Sequence, residues 1–296
     1  MLLVLPRYFQ LNHSNKDKRM NKYDHGRANV LGVGVSTLNM SAAIDLVYSF
    51  LETGKKGYIC ATGVHGIMEA QEDPSFREIQ NGSFITTPDG MPTVWIGHLQ
   101  GYKKMEQISG PDFMLKACEV AAHNGTKHFL YGGKPGVAEK LKDALVKRFP
   151  GLNIVGTYTP PFRPLNEAEE IELFNKVKES GAEIIWCGIS TPKQERFMAQ
   201  YLHLLPVKLM IGVGAAFDIN CGLVADAPQW VKKIGMQWLH RLYQEPRRLW
   251  RRYLFNNPRF LLLFFLQWLG LRRYEIGDSA SSSIPHEVKL IHSSES

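Results

Sequence analysis

The chain has 296 residues, 44% hydrophobic and 21% charged, with a formal net charge of +7. This composition excludes a disordered or collagen-like chain and supplies enough apolar material for one large α/β domain or two modest ones. The excess charge lies between Arg241 and Arg273, where eight arginines meet one acid, Glu245; the rest is neutral overall, which excludes a basic surface spread over the molecule and points to a local contact with something anionic.

Residues 1–28 are polar and lack periodicity, so a flexible extension is expected there. The opening MLLVLP is too short for a signal-peptide core, and no small-residue cleavage site follows it. VLGVGVS (30–36) predicts a buried strand, and a helix follows from about Ser41 to Thr53, ending at Gly54. GYICAT (57–62) predicts a second strand, residues 66–82 helical pieces broken near Pro74, and SFITT (83–87) a third strand. After Asp89 comes a short helical stretch, then a helix over 109–125 with Pro111 in its first turn and Gly125 past its end.

The second half repeats the pattern. KHFLYGG, NIVGTYT, AEIIWCGI and VKLMIGVGAAF predict strands, separated by helices over 134–151, 166–181 and 192–202. Asn166 is the expected cap of the middle helix, with acids in its first turn. Short apolar strands alternating with helices predict βαβ units: an α/β, Rossmann-like, mainly parallel sheet with helices on both faces. The expected organisation is a Rossmann-like domain over 29–235, an Arg-rich amphipathic appendage over 236–274 and a disordered tail over 275–296. Cys60, Cys118, Cys187 and Cys221 form no C-x-x-C pair and read as reduced, hence a cytosolic compartment.

In a parallel sheet ligands bind outside the C-terminal strand ends, and the informative loops fall there. TTPDG places Asp89 at the end of the third strand, where turn chemistry alone also accepts an Asp. In LYGGKPGVAEKL, Gly132 and Gly133 precede a helix beginning near Pro135 and Gly136, which suits a diphosphate and equally suits a structural turn. It is neither a Walker loop nor G-x-G-x-x-G. GISTPKQERF puts Pro192 at the first helical position, with Lys193, Gln194 and Glu195 either reaching a phosphate or sugar or forming a solvated first turn. GVGAAFDINCG carries Gly214 and Asp218 beyond another strand, and CATGVHGIMEA carries Thr62, His65 and Glu69, the last two sharing a helix face. No D-x-D, no His/Cys cluster with metal spacing and no G-x-S-x-G elbow is present, so no metal, no other cofactor and no α/β-hydrolase chemistry is expected.

Taken in order, PDGMPTVW, SGPDFM, YGGKPGVAE, PKQE, GVGAAFD and WLHRLYQEPRRLWRRYL resemble the WecG/TagA/CpsF glycosyltransferases, from about Val30 to Leu254. The resemblance implies an inverting transfer of a sugar from a UDP-sugar, such as UDP-N-acetylmannosamine or a UDP-uronic acid, to a sugar on a polyprenyl diphosphate. It implies Asp89 as catalytic base, with Lys193, Gln194 and Glu195 near the donor pocket. Gly63 stands where the family often has Asn, Gln107 where an Arg is frequent, Asp226 where the R-A-P motif has Arg, and Gln237 where E-W-L has Glu. These departures fit a changed donor or acceptor sugar.

The longest apolar run near the C-terminus, Phe260–Leu266, is far shorter than the about 20 residues of a spanning helix. Arginines interleaved with Trp, Phe and Leu fit a helix lying on an anionic membrane, each arginine contributing about 1 kcal/mol. Arg241, Arg247, Arg248, Arg251 and Arg252 are thus expected at the membrane or at the diphosphate. A buried helix pair with solvated arginines is the alternative. The expected partners are a UDP-sugar, a polyprenyl-diphosphate-linked sugar and the cytoplasmic membrane face, not nucleic acid. Oligomeric state stays open, a homo-oligomer included. The rival reading is a soluble nucleotide-sugar enzyme or binding protein of the same fold.

Overall fold

In the computed structural model, which describes residues 25–277, six strands run parallel in one sheet. They are β3 (Gly57–Thr62), β4 (Ile85–Pro88), β5 (Lys127–Gly132), β6 (Asn153–Tyr158), β7 (Ile184–Gly188) and β8 (Leu209–Gly212). Their order is β4-β3-β8-β7-β5-β6, with every pair parallel. The central strands are short apolar runs because both faces are covered. Alternate residues feed opposite cores: Ile59, Leu130, Trp186 and Ile211 enter one, Cys60, Phe129, Ile185 and Met210 the other. Helices α1 (Met40–Leu51), α5 (Gly110–Asn124) and α6 (Val137–Arg148) pack on the first face; α7 (Glu167–Ser180) and α8 (Lys193–Tyr201) pack on the second. The α7 start carries the expected cap as a full capping box between Asn166 and Glu169.

Several expected boundaries shift. VLGVGVS is not one strand of the sheet. It is most of an antiparallel hairpin, β1 (Arg27–Val30) and β2 (Val33–Ser36), turned at Leu31 and Gly32 with φ of 53° and 83°. Both turn residues sit in the left-handed region that two-residue hairpin turns require, and Asn29 Oδ1 accepts from Gly32 N at 2.9 Å. The hairpin starts at Arg27, inside the expected extension; residues 1–24 of that extension, and 278–296 of the expected tail, lie outside the described residues. The last strand stops at Gly212, and Ala216–Asn220 forms a short helix, α9. The helical pieces near Pro74 are α2 (Val64–Glu72) and α3 (Pro74–Gly82), with Asp73 capping the second.

The C-terminal segment folds back on the domain as α10 (Gln229–Lys233), α11 (Gln237–Gln244) and α12 (Pro246–Trp268). Phe260 and Leu263 of α12 are buried against the hairpin residues Ala28, Val30 and Leu31 and against Ile67 and Met68 of α2. Gln267 fastens the same helix to the hairpin, accepting from Leu31 N at 3.1 Å and donating to Asn29 O at 3.1 Å. Arg259 pairs with Glu72. Among the described residues no helix is long and apolar enough to cross a membrane.

Candidate active site

The ends of β3, β4, β8, β7 and β5 open into one cavity of ≈ 1080 Å³, roofed by α11 and α12. Such a cleft outside the carboxyl ends of parallel strands is where this architecture binds ligands. Asp89 follows β4 directly. Its backbone N donates to Thr62 O at 3.2 Å, its backbone O accepts from Gln107 Nε2 at 2.8 Å, and its Oδ1 accepts from Gly110 N at 3.0 Å. Oδ2 has no hydrogen-bond partner among the described residues, and Asp89 lines the cavity. Burial pushes the Asp89 carboxyl above the usual carboxylate range; the Gly110 amide and the charges of Arg241 and Lys232 pull it back, and Asp112 pushes it further up.

Asp218, on α9, lines the cavity, as do His65, Gly133, Lys193, Gln194 and Gly214. Gln194 Oε1 accepts from Gly214 N at 3.0 Å, joining the β7 and β8 loops. His65 lies 3.6 Å from Glu69 and 3.4 Å from Asn256 of α12, so it also helps dock that helix.

Other expected residues support the site from beneath or lie outside it. Thr62 is buried and donates to Gln80 Oε1 at 2.6 Å. Gly132 serves a close approach of two loops: a Cβ there would sit 2.7 Å from the Gly188 backbone, and Gly133 N donates to Gly188 O at 3.1 Å. Pro135 and Gly136 line a separate, smaller depression beside Glu139 and Thr157, because α6 starts only at Val137. Pro192 is the N-cap of α8, one position earlier than expected, after a cis Thr191–Pro192 bond. Glu195 is fully buried under the loop, not solvated; its Oε1 accepts from Thr191 Oγ1 at 2.8 Å and Gln194 Nε2 at 3.0 Å.

The arginine segment divides in the same way. Arg241, Arg248 and Arg252 line the cavity, whereas Arg247 and Arg251 are exposed outside it. Arg241 Nε and Arg252 Nε are buried without a hydrogen-bond partner among the described residues, and burial pulls Arg252 below its usual value. Lys134 and Lys193 line the same cavity, so it gathers several cations together with Asp89. An anion placed there would satisfy donors the protein leaves unpaired.

Sequence reasoning missed three contacts around Asp89. Gly110 reads only as a helix start. Gln107 and Gln237, each a departure from the family pattern, bond to each other, Nε2 to Oε1 at 3.0 Å. Asp226, a third departure, pairs with Lys232 at 2.6 Å. No local signal links Gly110 to Asp89, 21 residues away, or Gln107 to Gln237, 130 residues away.

A Rossmann-like sheet whose strand ends share one cavity with a perturbed carboxylate and several cations fits a site for an anionic ligand. The chain belongs to the WecG/TagA/CpsF family of glycosyl transferases, whose profile matches residues 28–274, and it is accordingly a glycosyltransferase. A curated relative from Bacillus spizizenii, N-acetylglucosaminyldiphosphoundecaprenol N-acetyl-beta-D-mannosaminyltransferase, is 26% identical over 206 residues, covering 70% of this chain and 78% of the relative.

Burial without a partner for Oε2 raises the Glu195 carboxyl from 4.5 to about 7. The folded state therefore holds this proton more tightly than the unfolded chain. The resulting stabilisation is complete below pH 4.5 and is lost as pH rises to 7, by about 3 kcal/mol. Denaturant unfolding of Glu195→Gln across that window is expected to lack this decline; a curve parallel to the wild type would contradict it.

Proposed function

We propose that the chain is an inverting glycosyltransferase that moves a hexose from a UDP-sugar to a sugar carried on a polyprenyl diphosphate, at the cytoplasmic membrane face, in cell-surface polysaccharide synthesis. The observation that carries the reading is Asp89: one oxygen is fixed by the Gly110 amide and the other faces the cavity. A carboxylate so placed can take the proton of an acceptor hydroxyl as it attacks the anomeric carbon, and an upward-shifted pKa brings it closer to the working pH. Arg241, Arg252 and Lys193 are placed to hold the diphosphate and to stabilise charge as it leaves. Asp218 and Gln194, on the β8 and β7 sides, are placed for the donor's hydroxyl and amide groups. No metal is assigned a role.

The name of the Bacillus relative supports a lipid-diphosphate acceptor and an N-acetylmannosamine donor as the first pair to test. Gly63 bears on which sugar fits: a Cβ there would lie 3.7 Å from Asp89 Oδ2, so the space an Asn would fill beside the base is open. We read this as room for a different substituent on donor or acceptor.

The outer surface of the C-terminal helices supports the membrane part of the proposal. Leu254, Phe255, Leu261, Leu262 and Phe265 are exposed on α12 beside Arg247, Arg251 and Arg259. An apolar stripe flanked by arginines suits a helix lying at a lipid interface.

Asp89→Asn is expected to fold normally and to lose about 10²–10⁴-fold in kcat for transfer from a UDP-hexose to a short-chain polyprenyl-diphosphate sugar, with or without chelator. In the wild type the acid limb of kcat/KM should lie above the ordinary aspartate value of 3.8. Near-normal turnover of the variant would remove Asp89 from the base role. For the membrane, cutting off α12 would also strip Phe260 and Leu263 from the core, so surface substitutions are the better probe. The triple variant Phe255→Ser, Leu262→Ser, Phe265→Ser, at exposed positions outside the cavity, should keep its melting temperature and lose sedimentation with anionic vesicles; unchanged sedimentation would refute the interfacial reading.

A further inference from the structure

Lys232 takes no part in lining the cavity, yet it is a lysine only 2% exposed. Its Nζ contacts Asp112 at 2.9 and 3.1 Å and Asp226 at 2.6 Å. An ammonium is rarely buried this far, and these two carboxylates compensate it. Burial alone would lower the Lys232 pKa; the bonds to Asp226 and Asp112 outweigh it and hold the ammonium above its usual value. Lys232 belongs to α10 of the C-terminal segment, whereas Asp112 sits in the first turn of α5.

That first turn is also what holds Asp89. Ser109 caps α5 and its Oγ donates to Asp112 Oδ2 at 2.6 Å. The next residue, Gly110, donates its amide to Asp89 Oδ1. Gly110 fits tightly, since a Cβ there would be 2.7 Å from Val213 O. The turn is thus wedged between the end of β8, Asp89 and Lys232, and Asp112 ties it to the C-terminal segment.

We propose that Lys232 is a positioning residue for the catalytic base: through Asp112 it clamps the N-terminal turn of α5 so that the Gly110 amide stays on Asp89. The proposal rests on the reading of Asp89 given above. The C-terminal segment then acts on the chemistry at a second point, remote from the arginines in the cavity. The charged groups that bear on Asp89 are Arg241, Asp112 and Lys232, and those that bear on Lys232 are Asp112 and Asp226. Removing the lysine therefore strands Asp112 as an unpaired anion on the base's side of the clamp and loosens the turn.

The test is Lys232→Met in the full chain, followed by a ¹³C NMR titration of the Asp89 carboxyl, assigned by the signal that Asp89→Asn removes. The Asp89 titration is expected to move to higher pH, and kcat should fall by about 10–10²-fold with the KM for UDP-sugar nearly unchanged, as for a misplaced reacting group. Lys232→Arg, which keeps a cation between the carboxylates, should retain the wild-type titration. If Lys232→Met does not fold, Lys232→Met with Asp226→Asn keeps the net charge of the cluster and should show the same shift. An unmoved Asp89 titration in either folded variant overturns the clamp. Because the titration needs no turnover, that failure is distinct from an active Asp89→Asn, which would overturn the base assignment itself.

Discussion

The 3.0 Å hydrogen bond from the Gly110 amide to Asp89 Oδ1 is the contact on which the site depends. A base in a half-dry cleft needs enough burial to raise its pKa and enough support to stay charged and fixed. Here the support comes from one short segment. Ile108 N bonds Pro88 O at 2.9 Å, Gln107 Nε2 bonds Asp89 O, and Gly110 N bonds the carboxylate. Because β3, β4 and β8 are parallel neighbours, their ends bring Gly63, Asp89 and Val213 to the same edge, where α5 begins. The absent side chain at Gly110 lets the helix start close enough to both strands to make that bond.

The C-terminal helices complete this arrangement rather than hang from it. Their polar links to the domain explain departures that look unrelated in the sequence. Gln107 and Gln237 stand where the family pattern has an arginine and a glutamate, and in the fold they touch. A neutral amide pair has replaced what oppositely charged residues would make, at a lower desolvation cost. Asp226, in place of an arginine, meets Lys232. Each of these three departures thus makes a polar contact within or onto the C-terminal segment. Arg241 and Arg252 both line the cavity and keep a buried Nε without a hydrogen-bond partner among the described residues, although Arg241 also lies 4.0 Å from Glu245.

Much of the sheet was legible because the central strands are short, largely apolar runs, the mark of strands covered on both faces. The loops followed from the same reading, since they are the strand ends. The hairpin was not legible: Leu31 at φ 53° is not a residue that announces a turn, so VLGVGVS looks like one strand. The apolar GVGAAF hid the end of β8 for a similar reason. Local chemistry left Gly132 open between a diphosphate loop and a structural turn, and its missing side chain admits the Gly188 backbone; a first-turn position suggests a solvated Glu195, which is buried. What placed Lys232 against Asp112 is a folding back across a separation of 120 residues, which no local pattern records.

In the proposed mechanism one carboxylate, Asp89, serves as base in a single direct displacement. The measurement that tests it most directly is the anomeric configuration of the product formed from an α-linked UDP-hexose, read from the one-bond coupling of its anomeric carbon and hydrogen. A direct displacement assisted by Asp89 predicts a β-linked product. An α-linked product would require a mechanism that retains configuration and would contradict the account.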